Sequence, residues 1–305
     1  MSSAAFYCVA DDRYFLGAVG LINSLRLVGH DEPIRLLDCG LTGAQRALLG
    51  PEVELVEAPA DAPPTMLKTI APLAAPADAM VLIDTDMIVT RSLAELAGTA
   101  AHGGVVAFLN DRPRFVAEWG ELLDLGPAAP QPYVSSGLVV LGGAEGAEVL
   151  DLLDDRQRRV DVGRTLFGTA EADYPFRFPE QDVLNAILCT RAADFPATRL
   201  PNRLAPNPPF AGLRLHDIED LRCAYDDGAE PYVLHHFHRK PWIDRIYHGL
   251  YSRLLTRLLT GDDVVLRVPD DLIPARLRTG PRAMVERGWV NTVDVVRRYA
   301  LRRDV

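Results

Sequence analysis

Hydrophobic residues along this chain fall into short continuous runs separated by stretches of helical spacing. The run FYCVA (6–10) is followed by polar DDR and then by YFLGAVGLINSLRLVG, in which Phe15, Val19 and Ile22, and Leu21, Leu25 and Val28, recur at helical intervals until Gly29 stops the pattern. IRLL (34–37) predicts a second strand, TGAQRALLG a short helix with Thr42 as N-cap and Gly50 past its end, and VELV (53–56) a third strand. MVLI (80–83), VVAF (105–108) and LVVL (138–141) are further apolar runs of strand length. Strands that are apolar throughout are those covered by helices on both faces. The pattern therefore predicts an α/β fold with a mostly parallel sheet. The proline-rich patches APADAPP (58–64), GPAAPQP (126–132) and LPNRLAPNPP (200–209) read as loops within this unit, and no internal repeat is visible.

Composition adds exclusions. With 305 residues and 48% hydrophobic content the chain can bury a large core. A net charge of −10 argues against nucleic acid as a partner, because gripping phosphate backbones relies on a basic surface. Four scattered cysteines (Cys8, Cys39, Cys189, Cys223) and a first segment without signal-peptide character lead us to expect a reduced, cytoplasmic setting. No apolar run approaches the roughly 20 residues of a spanning helix. The tail differs in charge: residues 276–305 hold eight arginines against three acids, and VNTVDVVRRYALRRDV reads as a terminal amphipathic helix. It is expected to pack on the domain as a solvated helix, or at most to touch a membrane surface peripherally. We divide the chain into a catalytic domain, 1–250, and a basic helical extension, 251–305.

The candidate chemistry sits in AMVLIDTDMIV (79–89), where a buried strand ends in Asp84, Thr85 and Asp86. Ligands of open α/β sheets collect beyond the carboxyl ends of strands. An i, i+2 spacing places both carboxylates on one side of an extended segment, where they repel unless they share a cation. A hard divalent ion completed by substrate phosphates answers that repulsion, while a pair of turn-capping or solvated aspartates is the plain alternative. Phosphatases of the aspartyl-phosphate type also use D-x-D, but after their first strand and with a later acidic pair. Here the motif follows the fourth predicted strand, Ile88 stands where a Thr or Val is usual, and the GDD at 261–263 is followed by Leu266 and Arg267 instead of a second acid.

Other segments fall in order around this motif: VADDRYFLGAVGLINSL, MLKTIAPLAAPADAMVLIDTDMIV, YVSSGLVVL, PEQDVLNAIL and VLHHFHRKPW. Over roughly residues 5–245 the chain resembles glycosyltransferase family 8, which includes glycogenin and bacterial lipopolysaccharide galactosyl- and glucosyltransferases. The resemblance implies a GT-A fold and transfer of a sugar from a UDP-sugar, with retention of anomeric configuration, to an acceptor that the sequence does not identify. It implies that Ala10, Asp11 and Tyr14 hold the uridine, that Lys68 faces the donor, that Asp84 and Asp86 bind Mn²⁺ or Mg²⁺ with Thr85 between them at the donor, and that Lys240 grips the diphosphate. Glu180, Gln181 and Asp182 then stand near the anomeric carbon as catalytic candidates. Read without the resemblance, Asp11 and Asp12 are helix N-cap candidates, Tyr14 could pack on its helix, and Lys68 is a surface lysine.

Three segments depart from the family pattern. Ser135, Ser136 and Gly137 replace an Asn-containing donor-binding triplet, Glu180 replaces an aspartate, and the segment His235-His236-Phe237-His238-Arg239-Lys240-Pro241-Trp242 is shortened and lacks a glycine. A site of two carboxylates commonly takes an imidazole as well. PYVL reads as a strand entering the sheet, so its neighbours His235 and His236 point to opposite sides and only one can join the aspartates. We expect His235, the first polar residue past the strand, with His236 as the alternative. The resemblance thus implies a metal-dependent retaining hexosyltransferase. A nucleotide-sugar-binding protein without transfer activity and, further off, a D-x-D phosphatase are the rivals.

Overall fold

The structure is a computed structural model, which describes residues 3–59, 66–237, 239–247 and 249–290. Its centre is a seven-stranded sheet built from β1 (Ala4–Ala10), β2 (Ile34–Asp38), β3 (Glu54–Glu57), β4 (Ala79–Ile83), β6 (Gly104–Leu109), β7 (Val134–Gly142) and β8 (Ala197–Leu200), in the order β3-β2-β1-β4-β7-β6-β8. Four of the six pairings are parallel; both antiparallel ones belong to β7, which runs against β4 and β6. The sheet is therefore mostly parallel with one reversed central strand. LVVL was read as one more apolar run, and nothing in an all-apolar strand encodes its direction.

The inner strands are buried on both faces because each face has its own core. In β1 the side chains alternate: Phe6, Cys8 and Ala10 join one cluster, Ala5 and Tyr7 the other. The first cluster is covered by α1 (Phe15–Leu27) and α8 (Gly249–Thr260), the second by α6 (Gly143–Gln157) and α7 (Pro179–Thr190). From Phe15 to Leu25 every residue of α1 is buried, so the helix is sandwiched instead of lying half exposed. Its two buried polar residues are satisfied. Asn23 donates to the carbonyls of Leu258 (2.8 Å) and Leu266 (2.9 Å) and accepts from the Leu266 amide, while Ser24 Oγ accepts from Val89 N at 3.0 Å. These bonds tie α1 to α8 and to β5 (Met87–Val89).

Thr42 forms a reciprocal capping box with Gln45 at the start of α2 (Gly43–Leu49), and Gly50 follows its end, as expected. The expected boundary at residue 250 does not coincide with a break in packing, since Tyr251, Leu254, Leu255 and Leu258 share a core with α1. The terminal helix expected for 290–305 and the patch at 58–64 lie largely outside the described residues. Among the described residues no helix is long and apolar enough to cross a membrane.

Candidate donor-binding and metal site

Beyond the carboxyl ends of β1 and β4 lies a cavity of about 340 Å³. Asp84 to Asp86 leave β4 as a turn, closed by Met87 N–H donating to Asp84 O at 3.1 Å, and not as the extended segment expected. The carboxylates converge nonetheless, because the turn is clamped from both sides. Gly17 of α1 sits against it so closely that a Cβ would lie 2.5 Å from Thr85 O and 2.7 Å from the Trp242 ring. Only a residue without a side chain allows that approach.

On the other side β5, the strand after the turn, pairs with β11 (Val233–His235) in a separate antiparallel ribbon, with His235 opposite Met87. PYVL thus carries a strand that joins β5 alone, whereas the sequence reading had it entering the central sheet. The ribbon delivers His235 to the aspartates: its Nε2 lies 3.2 Å from Asp86 Oδ1 and 3.8 Å from Asp84 Oδ2. Gly137 backs the imidazole, and a Cβ there would fall 2.9 Å from His235 Cε1. His236 points the opposite way, its ring 4.7 Å from that of Tyr251. Burial, followed by the charge of Lys240, lowers its pKa to about 4.

Asp84, Asp86 and His235 offer ligand atoms that all lie within 4.8 Å of one another. Asp86 Oδ1 and His235 Nε2 are buried and make no hydrogen bond, although they face each other. Buried polar atoms without partners are uncommon and call for an explanation. Two carboxylate oxygens and one imidazole nitrogen around a common point suit a hard or borderline divalent cation, so the residues fit such an ion.

Two buried lysines bracket the trio. Lys68, 8% exposed and so no surface lysine, stands 2.6 Å from Asp84 Oδ1 and 3.3 Å from Glu180 Oε1 and donates to Ser136 O at 2.9 Å. Burial would lower its pKa, but Asp84 and Glu180 outweigh that and hold it above the ordinary range. Lys240 donates to Asp86 Oδ2 and to the carbonyls of His236 (2.5 Å) and Phe237 (3.0 Å). Burial alone would raise Asp86; His235 and Lys240 together hold it well below the usual carboxylate range. Glu180 is pushed up to about 7 by burial, with Lys68 lowering and Asp84 raising it.

Ala10, Asp11 and Tyr14 line the same cavity. Asp11 also holds the turn before α1, accepting from Arg13 N (3.1 Å) and Tyr14 N (2.9 Å) through one oxygen, but the N-cap position is Tyr14, so neither Asp11 nor Asp12 caps the helix. Tyr14 packs edge-on against Trp242, and its hydroxyl is raised to about 12 by burial and by the charges of Asp86 and Asp84. At the start of α7, Glu180 and Gln181 face the cavity, and Gln181 is locked by accepting from Ser136 N (3.2 Å) and donating to Tyr133 OH (2.9 Å).

Asp182 does not reach the cavity. One residue on a helix turns the side chain by about 100°, and this carboxylate is fully buried against Tyr133 OH (2.6 Å), Arg114 Nε (3.1 Å) and Phe178 N (2.9 Å). Ser135 also stays outside, its hydroxyl accepting from Gly137 N at 3.3 Å, whereas Ser136 lines the wall. Asp263 of the GDD segment pairs with Arg257 at 2.6 Å. The sequence reading did not single out Tyr133, Phe167, Phe178 or Phe237; isolated aromatic residues in loops carry no spacing signal.

No family model matches the chain, and no curated protein matches it. Solved structures do. The galactosyltransferase LgtC in complex with donor and acceptor sugar analogs is 17% identical with a TM-score of 0.55, over 88% of this chain and 98% of that one. An active-site mutant of LgtC gives 16% and 0.54 over the same shares. The bifunctional glycosyltransferase WbbM gives 17% and 0.54, over 87% of this chain and 50% of that one. At such identities the likeness is one of fold, and the fold is the GT-A fold of these glycosyltransferases.

Proposed function

We propose that the protein is a retaining glycosyltransferase that takes a UDP-hexose donor with Mn²⁺ or Mg²⁺ and passes the hexose to an acceptor hydroxyl. The observation that carries this reading is the Asp84–Asp86–His235 trio, with its unpartnered Asp86 Oδ1 and His235 Nε2, set between two buried lysines in one cavity. Asp84, Asp86 and His235 would hold the ion, which when bound offsets the negative charge of a diphosphate as a Lewis acid.

The chain's own groups share the remaining work. Lys68 and Lys240 supply positive charge to a departing UDP, a need that grows as the bond to the sugar breaks. Asp11 and the Tyr14 ring offer an acceptor and a stacking face to uracil. Gln181, fixed by Tyr133 and Ser136, presents an oriented amide dipole where positive charge develops on the anomeric carbon. Glu180, with its pKa near 7, can either donate to or accept from a sugar hydroxyl. In the transfer the acceptor oxygen bonds to the anomeric carbon, the bond from that carbon to the β-phosphate oxygen breaks, and UDP leaves with the electron pair. The hydroxyl proton passes to the departing phosphate or to solvent.

One observation favours the rival, a nucleotide-sugar-binding protein without transfer: all three donors of the Lys240 ammonium are engaged within the protein. Calorimetry of UDP-hexoses with and without Mn²⁺, followed by assay of UDP release, separates the two. The transferase reading expects Mn²⁺-dependent binding and slow hydrolysis of at least one donor. Binding without any turnover would favour the rival, and metal-independent binding would end the metal assignment.

A further inference from the structure

The cavity is lined by two chemically different sets of side chains. Its charged groups gather beyond β1 and β4, and beside them it is lined by Phe167, Phe178 and Phe237, the Phe237 ring 5.8 Å from that of His235. Phe167 is 56% exposed and Phe237 39%, and the rings of Phe178 and Phe237 stand 6.4 Å apart. Exposed aromatic surface of this extent at a cavity wall is unfavourable in water and gains when a ligand covers it.

The rings are mounted on ordered backbone. Phe167 follows the fully buried Thr165, whose Oγ1 accepts from Phe167 N at 3.2 Å, and the adjacent Leu166 N donates to Arg177 O at 3.0 Å. Phe178 N donates to the buried Asp182, and the Phe237 carbonyl accepts from Lys240. Phe237 thus adjoins the charged groups directly, through Lys240 and His235.

We infer that Phe167, Phe178 and Phe237 form the acceptor wall of the cavity and bind an acceptor that carries an apolar body beside its hydroxyl-bearing part. The inference rests on the glycosyl-transfer reading, which requires that an acceptor reach the charged groups. A phenylalanine ring has no hydrogen-bonding atom, so this wall recognises its ligand by contact area and ring geometry, as apolar binding surfaces do. An acceptor made only of hydroxylated sugar would leave most of that gain unused.

The test measures binding of methyl, hexyl and benzyl β-glucosides to the full chain saturated with UDP and Mn²⁺. Both apolar aglycones are expected to bind about tenfold more tightly than the methyl one, a gain of the size aromatic burial gives. Benzyl binding more tightly than hexyl would mark a ring as the apolar body, and the reverse order an alkyl chain. In Phe167→Ser and in Phe237→Ser the ratio between apolar and methyl probes should collapse, a comparison that does not depend on how much of a variant folds. Equal affinities in the parent protein, with UDP and Mn²⁺ bound, would overturn this inference alone. Failure to take up UDP would overturn it together with the transferase reading. A concentration-dependent dimer that Phe167→Ser dissociates would assign the rings to contact between copies and would also overturn it.

Discussion

Asp86 and Asp182 are both buried carboxylates, 7% and 0% exposed, and they are satisfied in opposite ways. Asp182 spends its oxygens on Tyr133, Arg114 and the Phe178 amide, and so fixes the first turn of α7. Asp86 holds Lys240 with one oxygen and leaves the other without a hydrogen bond, facing a histidine nitrogen that also lacks one. Burying a carboxylate is costly unless its lone pairs are filled, so a filled one reads as architecture and an unfilled one as a place for something else. Acidity and position in a motif do not tell the two apart; the count of partners does.

The largest effect should come from Asp86→Asn, which keeps the shape and removes the charge. We expect turnover to fall roughly a hundred- to a thousandfold, with Mn²⁺-dependent UDP binding lost and a lower melting temperature because the buried Lys240 loses its carboxylate. A variant that still binds UDP in proportion to Mn²⁺ would break the contrast from the side of Asp86.

Asp182→Ala should act on folding instead. Removing it strips Tyr133, Arg114 and the Phe178 amide of a buried acceptor, at a cost of about 3 kcal/mol in denaturant unfolding. Since Asp182 stands behind Gln181 and Phe178, kinetic effects should follow from their displacement. A melting temperature equal to that of the parent, with kcat reduced, would move Asp182 from a positioning residue to one that touches the donor.

The smallest effect sharpens the comparison within the histidine pair. His235→Ala should raise the Mn²⁺ concentration needed for half-maximal UDP binding by about tenfold or more, as loss of one ligand among three implies. His236→Ala should leave that concentration near the parent value and lower thermal stability through its lost contact with Tyr251. The opposite pattern in a Mn²⁺ titration would exchange their roles.

Much of the fold could be read from the sequence because its evidence is local. Apolar runs gave β1, β2, β4, β6 and the middle of β7, and the Thr42 and Gly50 signals gave α2. β8 was not visible, because ATRL at the sheet edge has partly exposed residues and no apolar run. The reversal of β7 and the separate β5–β11 ribbon were also hidden, since pairing direction is decided by tertiary path. At the site, D-x-D and the Lys-Pro-Trp segment were legible as strings. Which of Glu180, Gln181 and Asp182 faces the cavity was not, because it depends on where α7 begins. Phe178 caps that helix, and the side chains of residues 180 and 181 then turn inward while residue 182 turns away.

The clamp around the aspartate turn also sets a timetable. Asp86 and Lys240 are 154 residues apart in sequence, and the Trp242 indole that closes on Gly17 donates to the Arg13 carbonyl, 229 residues away. Lys68, the partner of Asp84, is made before the aspartates, but at translation rates of roughly 5–20 residues per second a growing chain carries Asp86 for about 8 to 30 seconds before the lysine that pairs with it has been made. Through that interval Asp86 stands beside Asp84 without its own cation. Water must solvate it until the last quarter of the chain is added.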